Sequence, residues 1–188
     1  LTCALSLHAA GITDVHVYES VGEVKEIGVG VNLLPHAVRE LDELGLLADL
    51  YDTAIPTAEL SYLTQRGQLV WKEKRGLAAG YRWPQFSINR GHLLGIIYRA
   101  AIARLGKNRI HVGHHLQSFG TTKNAIAWAE FGDDAVSAPK LKTEADLLIA
   151  CDGVHSTARS TLYPNEGPPI WNGTTMWRGT TEADPFLG

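Results

Sequence analysis

Three stretches of the chain combine residue types and spacings that could bind an anionic or polar ligand. The first runs through an apolar helical segment, residues 1–10, into the alternating strand pattern of Val15 to Glu19. In a dinucleotide-binding βαβ unit, an acidic residue about 20 positions beyond a glycine-rich loop binds the ribose hydroxyls. Counting back from Glu19 places that loop before Leu1. Glu19 is interpreted either as a ribose ligand or as a solvated residue at a strand end.

The second stretch is a glycine-bearing segment that leads into a helix beginning at Pro35. Glycine lets a backbone approach a flat ligand closely, and the first turn of a helix offers unpaired N–H groups to an electronegative edge. A plain connecting loop would have the same spacing, so both interpretations stay open. The residues concerned are Gly28, Val29, Gly30, Val31 and Asn32.

The third stretch, ADLLIACDGVHSTAR, places charged residues after a continuous apolar run. The run from Asp146 to Cys151 is typical of a strand buried on both faces, and open α/β sheets bind ligands at the carboxyl ends of such strands. Asp152 could bind a hydroxyl or orient N–H groups around a diphosphate, and Gly153 breaks the strand. Arg159 could reach an anion, or it could form a structural ion pair with Asp152.

Arg90 stands at the start of a predicted helix, where the positive end of the helix dipole repels its charge. Asn89 has the residue type of an N-cap, and apolar residues at helical spacing follow from Gly91 to Leu105. We expect an anion to compensate the charge of Arg90. The predicted apolar face comprises Leu93, Leu94, Ile97, Ala101 and Leu105.

Metal and hydrolase chemistry are poorly supported by the remaining polar residues. On a single strand, His111 and His115 would share one face while His114 takes the other, so a three-histidine metal site would need a bend. We predict no metal. Ser156 has no recognisable nucleophile elbow or acid–base partner, which disfavours a hydrolase.

The elements that would position these residues alternate between helices and strands. Residues 75–85 are expected to form a loop. Further patterns predict a helix from Pro35 to Gly45, a β-hairpin around the turn at 65–67, strands at 109–112, 125–131 and 174–180, and a helix at 155–162. This order fits an α/β domain with a parallel sheet, interrupted by a smaller β-rich insertion.

The composition is that of an ordinary globular chain of 188 residues, 45% hydrophobic and 20% charged. A formal net charge of -3 gives no electrostatic footprint for nucleic acid or an anionic membrane, so neither partner is expected. No apolar run reaches the roughly 18 residues of a membrane span, and a cytoplasmic location is expected. Cys3 and Cys151 are too few for a disulfide framework and are interpreted as buried hydrophobic residues.

Four motifs occur in an order that resembles the single-component FAD-dependent aromatic monooxygenases: IGVGVNLLPHAV, YRWPQFSINRGHLL, CDGVHSTAR and GTTMWRGTTE. This family includes salicylate hydroxylase and para-hydroxybenzoate hydroxylase, and its phenazine-modifying members are the nearest likeness. The resemblance covers essentially the whole chain, and its most specific element is the Asp-Gly stretch with Ser156 and Arg159. It implies a Rossmann-like FAD-binding domain with a parallel sheet, interrupted by a smaller β-rich substrate domain.

The resemblance also implies roles for individual residues. Glu19 would bind the FAD ribose, Arg90 would contact the phosphate–ribityl portion, and residues 28–32 would lie beside the isoalloxazine. Asp152 and Gly153 would help to hold FAD and serve its reduction by NAD(P)H. The implied reaction captures O2 as a flavin C4a-hydroperoxide and transfers one oxygen atom to a small aromatic substrate. The cofactor carries this chemistry, so no catalytic acid or base is nominated.

The implied domain division assigns residues 1–55 and 87–164 to the FAD-binding domain. Residues 56–86 would form a hairpin and loop of the substrate domain, and residues 165–188 would begin the substrate-domain sheet. Two other functions stay open. One is another FAD oxidoreductase of the same architecture, and the other is a non-catalytic α/β fragment without cofactor.

The only methionine is Met176, so we expect the chain to be the N-terminal portion of a protein whose glycine loop precedes Leu1. A later Gly-Asp segment that closes over the cofactor in the family is also missing. Residues 1–188 alone are therefore expected to hold no FAD and to show no hydroxylase activity. The open sheet edge beside residues 15–19 would leave this stretch marginally stable or pair it with another copy as a homo-oligomer.

Overall fold

A computed structural model describes residues 1–132, 141–181 and 184 of the chain. Among these residues the α-helices are α1 (Thr2–Ala9), α2 (Pro35–Glu43), α3 (Leu47–Thr53), α4 (Arg90–Leu105) and α5 (Thr157–Leu162). The strands are β1 (Val17–Glu19), β2 (Gly30–Leu33), β3 (Ile55–Thr57), β4 (Glu59–Leu63), β5 (Leu69–Lys74), β6 (Gln85–Asn89), β7 (Ile110–Val112), β8 (His115–Thr121), β9 (Ala127–Gly132) and β10 (Leu141–Ala145). Two compact units result. The first unit comprises residues 1–15, 25–109 and 177–188, and the second unit comprises residues 16–24 and 110–176.

The helices of the first unit begin and end where local signals in the sequence place them. Pro35 occupies the first position of α2, where its fixed φ suits the helix and its missing N–H has no partner to lose. Gly45 follows α2 at a φ of +69°, a conformation that favours glycine. Asn89 caps α4 by accepting a hydrogen bond from the backbone N–H of Gly91 at 2.8 Å. The predicted helices α1, α2 and α4 are confirmed.

The buried face of α4 differs from the predicted one. Ala101 and Leu105 are buried as expected, but the first turns of the helix bury Gly91 and Gly95. The reason is that the backbone at Glu26 crosses this face, so closely that a Cβ atom on Gly91 would collide with the Glu26 carbonyl group. The larger apolar side chains of the predicted face are only half-buried: Leu93, Leu94 and Ile97.

A three-stranded antiparallel sheet lies in the first unit, in the order β2–β6–β3. Its central strand, β6, contributes Phe86, which is fully buried and meets the ring of Tyr51 edge to face with centroids 5.0 Å apart. Leu5 of α1, Val38 of α2 and Leu50 of α3 are also fully buried. Burial of each such side chain contributes roughly 1.5–3 kcal/mol. The core of the first unit is therefore drawn from both its sheet and its helices.

The sheet corrects the expectation of a loop over residues 28–32. Gly30 pairs with Asn89 and Leu33 pairs with Phe86, so most of the glycine-bearing segment is an edge strand. Glycine is depleted in strands, and the pairing partner lies far along the chain, so local patterns do not indicate this strand. The ladder with β6 stabilises it instead.

The segment between β3 and β6 contains the predicted hairpin. β4 and β5 are antiparallel neighbours, and Gly67 stands in the turn between them at a φ of +78°. The expected loop over residues 75–85 contains a 3-10 helix, Gly76–Ala79, which ends at Gly80 with a φ of +87°. The hairpin is confirmed, whereas the loop is partly helical.

The second unit contains the predicted parallel pairing. β1 and β7 are parallel neighbours, with Val17 opposite Ile110 and Glu19 opposite Val112. A three-stranded antiparallel sheet in the order β10–β9–β8 lies in the same unit, and helix α5 packs against β8. The parallel pair and the antiparallel sheets confirm the mixed α/β fold class, while β8 is a strand that the sequence patterns do not indicate.

Two predicted strands are not formed by the residues that the structure describes. The apolar run from Asp146 to Cys151 pairs with no described strand, and Leu147 is 70% exposed. Its composition suits a buried strand, but a strand also needs a hydrogen-bonded neighbour, and the described strands supply none. Residues 174–180 likewise form no strand, and Trp177 is 94% exposed.

Both cysteines are exposed and free, which corrects the expectation that they are buried. Cys3 lies on the outer side of α1, whose buried residues are Ala4 and Leu5. Cys151 ends the apolar run that no described strand covers. Within the described ranges, no helix has the length and apolar character needed to cross a membrane.

Candidate functional site

The outer edge of β2 presents backbone hydrogen-bonding groups in the first unit. The backbone N–H of Arg90 donates to the Val29 carbonyl at 3.0 Å, so these two residues form a hydrogen-bonded pair of the ladder. Such pairs alternate along an antiparallel ladder, which directs the backbone groups of Val31 toward β6 and those of Gly30 and Asn32 away from it. Gly30 and Asn32 can therefore offer their N–H and carbonyl groups to a ligand.

Gly28 allows the Arg90 side chain to lie across the backbone at the start of that edge. A Cβ atom on Gly28 would stand 2.9 Å from the Arg90 Cβ and 3.1 Å from its Nε. The Asn89 side chain donates from Nδ2 to the Gly28 carbonyl at 3.3 Å, which holds the two segments together. Arg90 is exposed and forms no ion pair with any described residue. Its guanidinium is therefore available to an anion, and the expected anion stays a prediction.

A row of polar side chains crosses the β2–β6–β3 sheet beside this edge. The Ser87 hydroxyl donates to Oδ1 of Asn32 at 2.8 Å, and the hydroxyl oxygens of Ser87 and Thr57 are 3.0 Å apart. These hydrogen bonds fix the amide of Asn32. Sequence reasoning missed Ser87 and Thr57, because their alignment with Asn32 depends on a strand pairing that local patterns do not indicate.

Glu19 ends β1 in the second unit, as predicted. Its Oε1 atom accepts hydrogen bonds from the backbone N–H of Val21 at 3.0 Å and from the Ser20 hydroxyl at 3.1 Å. The Glu19 carbonyl accepts from the backbone N–H of His114 at 2.8 Å. One carboxylate oxygen thus fixes the turn after the strand. The other, Oε2, forms no hydrogen bond within the described part of the chain and can accept from a ligand.

Asp152 organises the start of α5 in the second unit. Its carboxylate accepts hydrogen bonds from the Ser156 hydroxyl at 2.5 Å and from the backbone N–H of Ala158 at 3.0 Å. Slight burial acts to raise the pKa of Asp152, but these hydrogen bonds to the charged form outweigh it and leave the pKa below its usual value. Gly153 follows at a φ of +81°, which lets the chain turn back toward the helix. Asp152 is therefore ionised and held in place.

Arg159 does not form the structural ion pair with Asp152 that the sequence left open. Its guanidinium binds the carboxylate of Glu166 through Nε and Nη2, while its backbone N–H donates to the Ser156 hydroxyl at 2.8 Å. The hydrogen bond from Arg159 holds the pKa of Glu166 below its usual value, against a smaller effect of burial. The sequence separation of seven residues gives no helical signal for this pair, because α5 ends before Glu166.

Histidines gather in the second unit differently from the predicted strand arrangement. Gly113, at a φ of +71°, bends the chain between β7 and β8, so His114 returns to the ring of His111. Nδ1 of His16 is 2.9 Å from Nε2 of His111, and Tyr18 stacks on His111 with centroids 4.6 Å apart. Burial lowers the pKa of His111, and the neighbouring histidines lower it further. The described residues hold no group of three side chains arranged to bind a metal ion.

The predicted site residues are thus distributed over both units. Gly28, Val29, Gly30, Val31, Asn32 and Arg90 belong to the first unit, and Glu19, Asp152, Gly153 and Arg159 belong to the second unit. Within the first unit, Arg90 and the outer edge of β2 are neighbours.

Comparison with known proteins gives a family match. The family model described as FAD binding domain matches residues 1–169 of the chain. The chain is 40% identical to phenazine 1,6-dicarboxylic acid hydroxylase PhzS of Lysobacter antibioticus, over all of this chain and 46% of that protein. It is 30% identical to 3-amino-4-hydroxybenzoate 2-monooxygenase PtnB3 of Streptomyces platensis, over 98% of this chain and 44% of that protein.

Solved structures share the fold. The crystal structure of p-nitrophenol 4-monooxygenase PnpA from Pseudomonas putida DLL-E4 matches with a TM-score of 0.73 at 24% identity, over 86% of this chain and 40% of that one. The chain therefore spans less than half the length of each of these relatives.

Proposed function

This chain belongs to the FAD binding domain family, and we propose that the whole protein is an FAD-dependent, NAD(P)H-using monooxygenase that hydroxylates a small aromatic substrate. The observation that carries the proposal is the arrangement at Arg90. An exposed guanidinium without a described carboxylate partner lies over Gly28, next to a strand edge with outward backbone groups. This is a cradle for an anionic, planar ligand.

The residues of the first unit suit the flavin half of FAD. Arg90 would hold the phosphate–ribityl portion, since a guanidinium pairs well with phosphate oxygens. The outer groups of Gly30 and Asn32 would hydrogen-bond the polar edge of the isoalloxazine. No atom lies within 4 Å of the position that a Cβ on Gly30 would take, which leaves room for a flat ring to approach the strand.

The residues of the second unit suit the rest of the cofactor. Oε2 of Glu19 would accept a hydrogen bond from the adenosine ribose, as acids at the end of this strand do in dinucleotide-binding units. Asp152, ionised and fixed by Ser156 and Ala158, would accept from a hydroxyl of the cofactor, with Gly153 allowing close approach. We propose that Arg159 contributes through Glu166, by holding the segment after α5 in place.

The names of the relatives support an aromatic substrate. PhzS is named for hydroxylating a phenazine dicarboxylic acid, and PtnB3 is named for an aminohydroxybenzoate. We propose the corresponding overall reaction for this protein. One oxygen atom of O2 enters an aromatic C–H bond as a hydroxyl, and the other leaves as water with the hydride of NAD(P)H and one proton.

FAD, when bound, supplies both the acceptance of hydride from NAD(P)H and the activation of O2. The chain supplies binding, orientation and exclusion of water. The described residues include no carboxyl or imidazole to which we assign a proton transfer at the ring, and we nominate no catalytic acid or base. The proposed domain division follows the same reading, with residues 1–55 and 87–164 binding FAD, and residues 56–86 and 165–188 belonging to the substrate domain.

Anaerobic reduction of the full-length protein tests this function. The purified protein should contain bound flavin, and NADH or NADPH should bleach its absorbance, faster in the presence of an aromatic substrate. Admission of air should restore the oxidised spectrum with formation of a hydroxylated product. Reoxidation without such a product would favour another FAD oxidoreductase of this architecture, and a protein that binds no flavin would favour a non-catalytic α/β fragment.

A further inference from the structure

The β2–β6–β3 sheet has one apolar face and one polar face. Phe86 and Ile88 of its central strand are buried on the side of the core. Successive side chains of a strand point to opposite faces, so Ser87 points away from that core. Its register partner on β2 is Asn32, and Thr57 of β3 lies diagonally across from Ser87 on the same face. All three strands therefore contribute to the polar face.

These three polar side chains form a hydrogen-bond relay with one direction. The Ser87 hydroxyl donates to Oδ1 of Asn32 at 2.8 Å, and the hydroxyl oxygens of Ser87 and Thr57 are 3.0 Å apart. A hydroxyl has a single proton to donate and can also accept. Because the proton of Ser87 is used on Asn32, Thr57 is the donor to Ser87. The relay thus runs from Thr57 through Ser87 to the carbonyl oxygen of the Asn32 amide.

The direction of the relay also determines what the amide of Asn32 offers to a ligand. Since Oδ1 accepts from Ser87, the two N–H groups on Nδ2 remain, and they form no hydrogen bond with a described residue. Asn32 is exposed, and so is Gly30, which lies on the same face about 7 Å along the strand. The space over Gly30 is open. A flat ring in that space would have Nδ2 of Asn32 at its edge.

We propose that Ser87 is a positioning residue for the flavin, that it acts through Asn32, and that Thr57 supports it. Held by the relay, Nδ2 of Asn32 donates a hydrogen bond to the polar edge of the isoalloxazine. The placement of this ring over Gly30 rests on the proposed function. The polar edge gains negative charge when FAD is reduced, so a fixed donor stabilises reduced FAD more than oxidised FAD. The relay therefore raises the reduction potential of the bound flavin.

Reduction potentials of the full-length, FAD-loaded protein, measured by equilibration with a reference dye, test the proposal. In Ser87→Ala the amide of Asn32 can rotate, because the terminal torsion of asparagine is broad. The affinity for reduced FAD relative to oxidised FAD should fall about three- to tenfold, which lowers the two-electron potential by about 15–30 mV. Ser87→Thr retains the hydroxyl and should keep most of the parent potential. Ser61→Ala, which removes an exposed hydroxyl from β4, is the matched control and should leave the potential unchanged.

Variants of Asn32 decide whether Ser87 acts through its amide. Asn32→Asp replaces the donor by a carboxylate and should lower the potential further than Ser87→Ala does, since a negative charge disfavours the reduced ring. In the Asn32→Ala background, the Ser87→Ala change should have no further effect on the potential. A purely structural role of Ser87 would instead lower the unfolding free energy and leave the potential as it is in the parent.

An unchanged potential in either Ser87→Ala or Asn32→Asp would overturn the proposal, as would a full additional effect of Ser87→Ala in the Asn32→Ala background. Thermal melts establish that each variant is folded, and the exposed position of Asn32 provides a test that does not alter the central strand. A parent protein that binds no flavin would contradict this proposal and the proposed function together. Bound flavin with the expected potentials but without any hydroxylated product would contradict the proposed function alone.

Discussion

Glu19 fixes a turn with one carboxylate oxygen, and we propose that the other binds the cofactor. Oε1 fixes the turn at Val21, while Oε2 is directed to no described residue. Losing a charge-assisted hydrogen bond costs roughly 1.5–3 kcal/mol, so Glu19→Ala should weaken FAD binding about ten- to hundredfold. Glu19→Gln keeps an acceptor for Val21 and should retain the turn with a smaller loss. Quenching of flavin fluorescence on binding to the apoprotein measures both affinities.

The matched control for Glu19 is Glu144→Ala, which removes an exposed carboxylate from β10 in the same unit. This change should leave the FAD affinity as it is in the parent. If Glu19→Ala bound FAD as tightly as the control variant, Glu19 would not be a ligand of the cofactor.

His111 makes the stability of the second unit sensitive to acid. Its pKa lies below the usual value of 6.5 because burial, and then His16 and His114, disfavour the charged form. A lowered pKa in the folded state means that the neutral ring contributes stability fully above about pH 6.5, and that this contribution is lost as the pH falls through the lowered pKa. The melting temperature should therefore drop on acidification, and less so in His111→Gln. If the melting temperatures of the parent protein and His111→Gln fell equally on acidification, His111 would not be the cause of the acid sensitivity.

At the residue scale, the sequence predicts those roles that depend on a position at an element's end. Glu19 closes a strand and Asn89 caps a helix, and both are visible in local patterns. The contacts of Arg159 with Glu166 and of Ser87 with Asn32 depend on chain segments that meet only in the fold. Residue types alone leave such partners open.

At the scale of elements, helix α4 is held at a short distance from the segment before β2. A Cβ on Gly91 would meet the backbone of Glu26 and stand 2.8 Å from the Ile27 nitrogen, whereas a Cβ on Gly95 would meet the movable end of the Glu26 side chain. Alanine is favoured over glycine in a helix by about 1 kcal/mol at both positions. Gly91→Ala should nevertheless destabilise the protein by roughly 1–3 kcal/mol through overpacking.

Gly95→Ala is the matched comparison for Gly91→Ala, because the Glu26 side chain can move at the cost of its exposed pair with Arg99. Its unfolding free energy should stay within about 1 kcal/mol of the parent. Denaturant titration of both variants measures the difference. Equal destabilisation by Gly91→Ala and Gly95→Ala would contradict this account, because it would mean that the backbone at Glu26 moves aside as easily as the Glu26 side chain.

Some elements are specified by local sequence signals, whereas others depend on a partner far along the chain. α2, α4 and the β4–β5 hairpin have their caps, periodicity and turn glycines in the sequence, and all are found. The β2–β6 ladder joins segments more than 50 residues apart, so no local pattern indicates it. The apolar run at residues 146–151 is the opposite case. Its local pattern predicts a buried strand, but no described strand pairs with it and no strand forms.

At the scale of the whole molecule, the residues that we propose for the cofactor site belong to two compact units, and the chain spans less than half the length of its relatives. The fold class and the FAD family follow from motif order, which the family match over residues 1–169 confirms. The substrate is less accessible to sequence reasoning. The basic and aromatic residues around the start of α2 come from α2, from β5 and from the segment that leads into β6, which only the fold brings together.

Isotope labelling with 18O2 tests the central claim most directly. The full-length protein, supplied with FAD, NAD(P)H and an aromatic acid that it binds, should form a hydroxylated ring carrying one atom of 18O for each NAD(P)H consumed. The same reaction in 18O-labelled water under ordinary O2 should leave the product unlabelled. Consumption of NAD(P)H that yields only hydrogen peroxide, or a product whose new oxygen comes from water, would contradict the assignment as a monooxygenase.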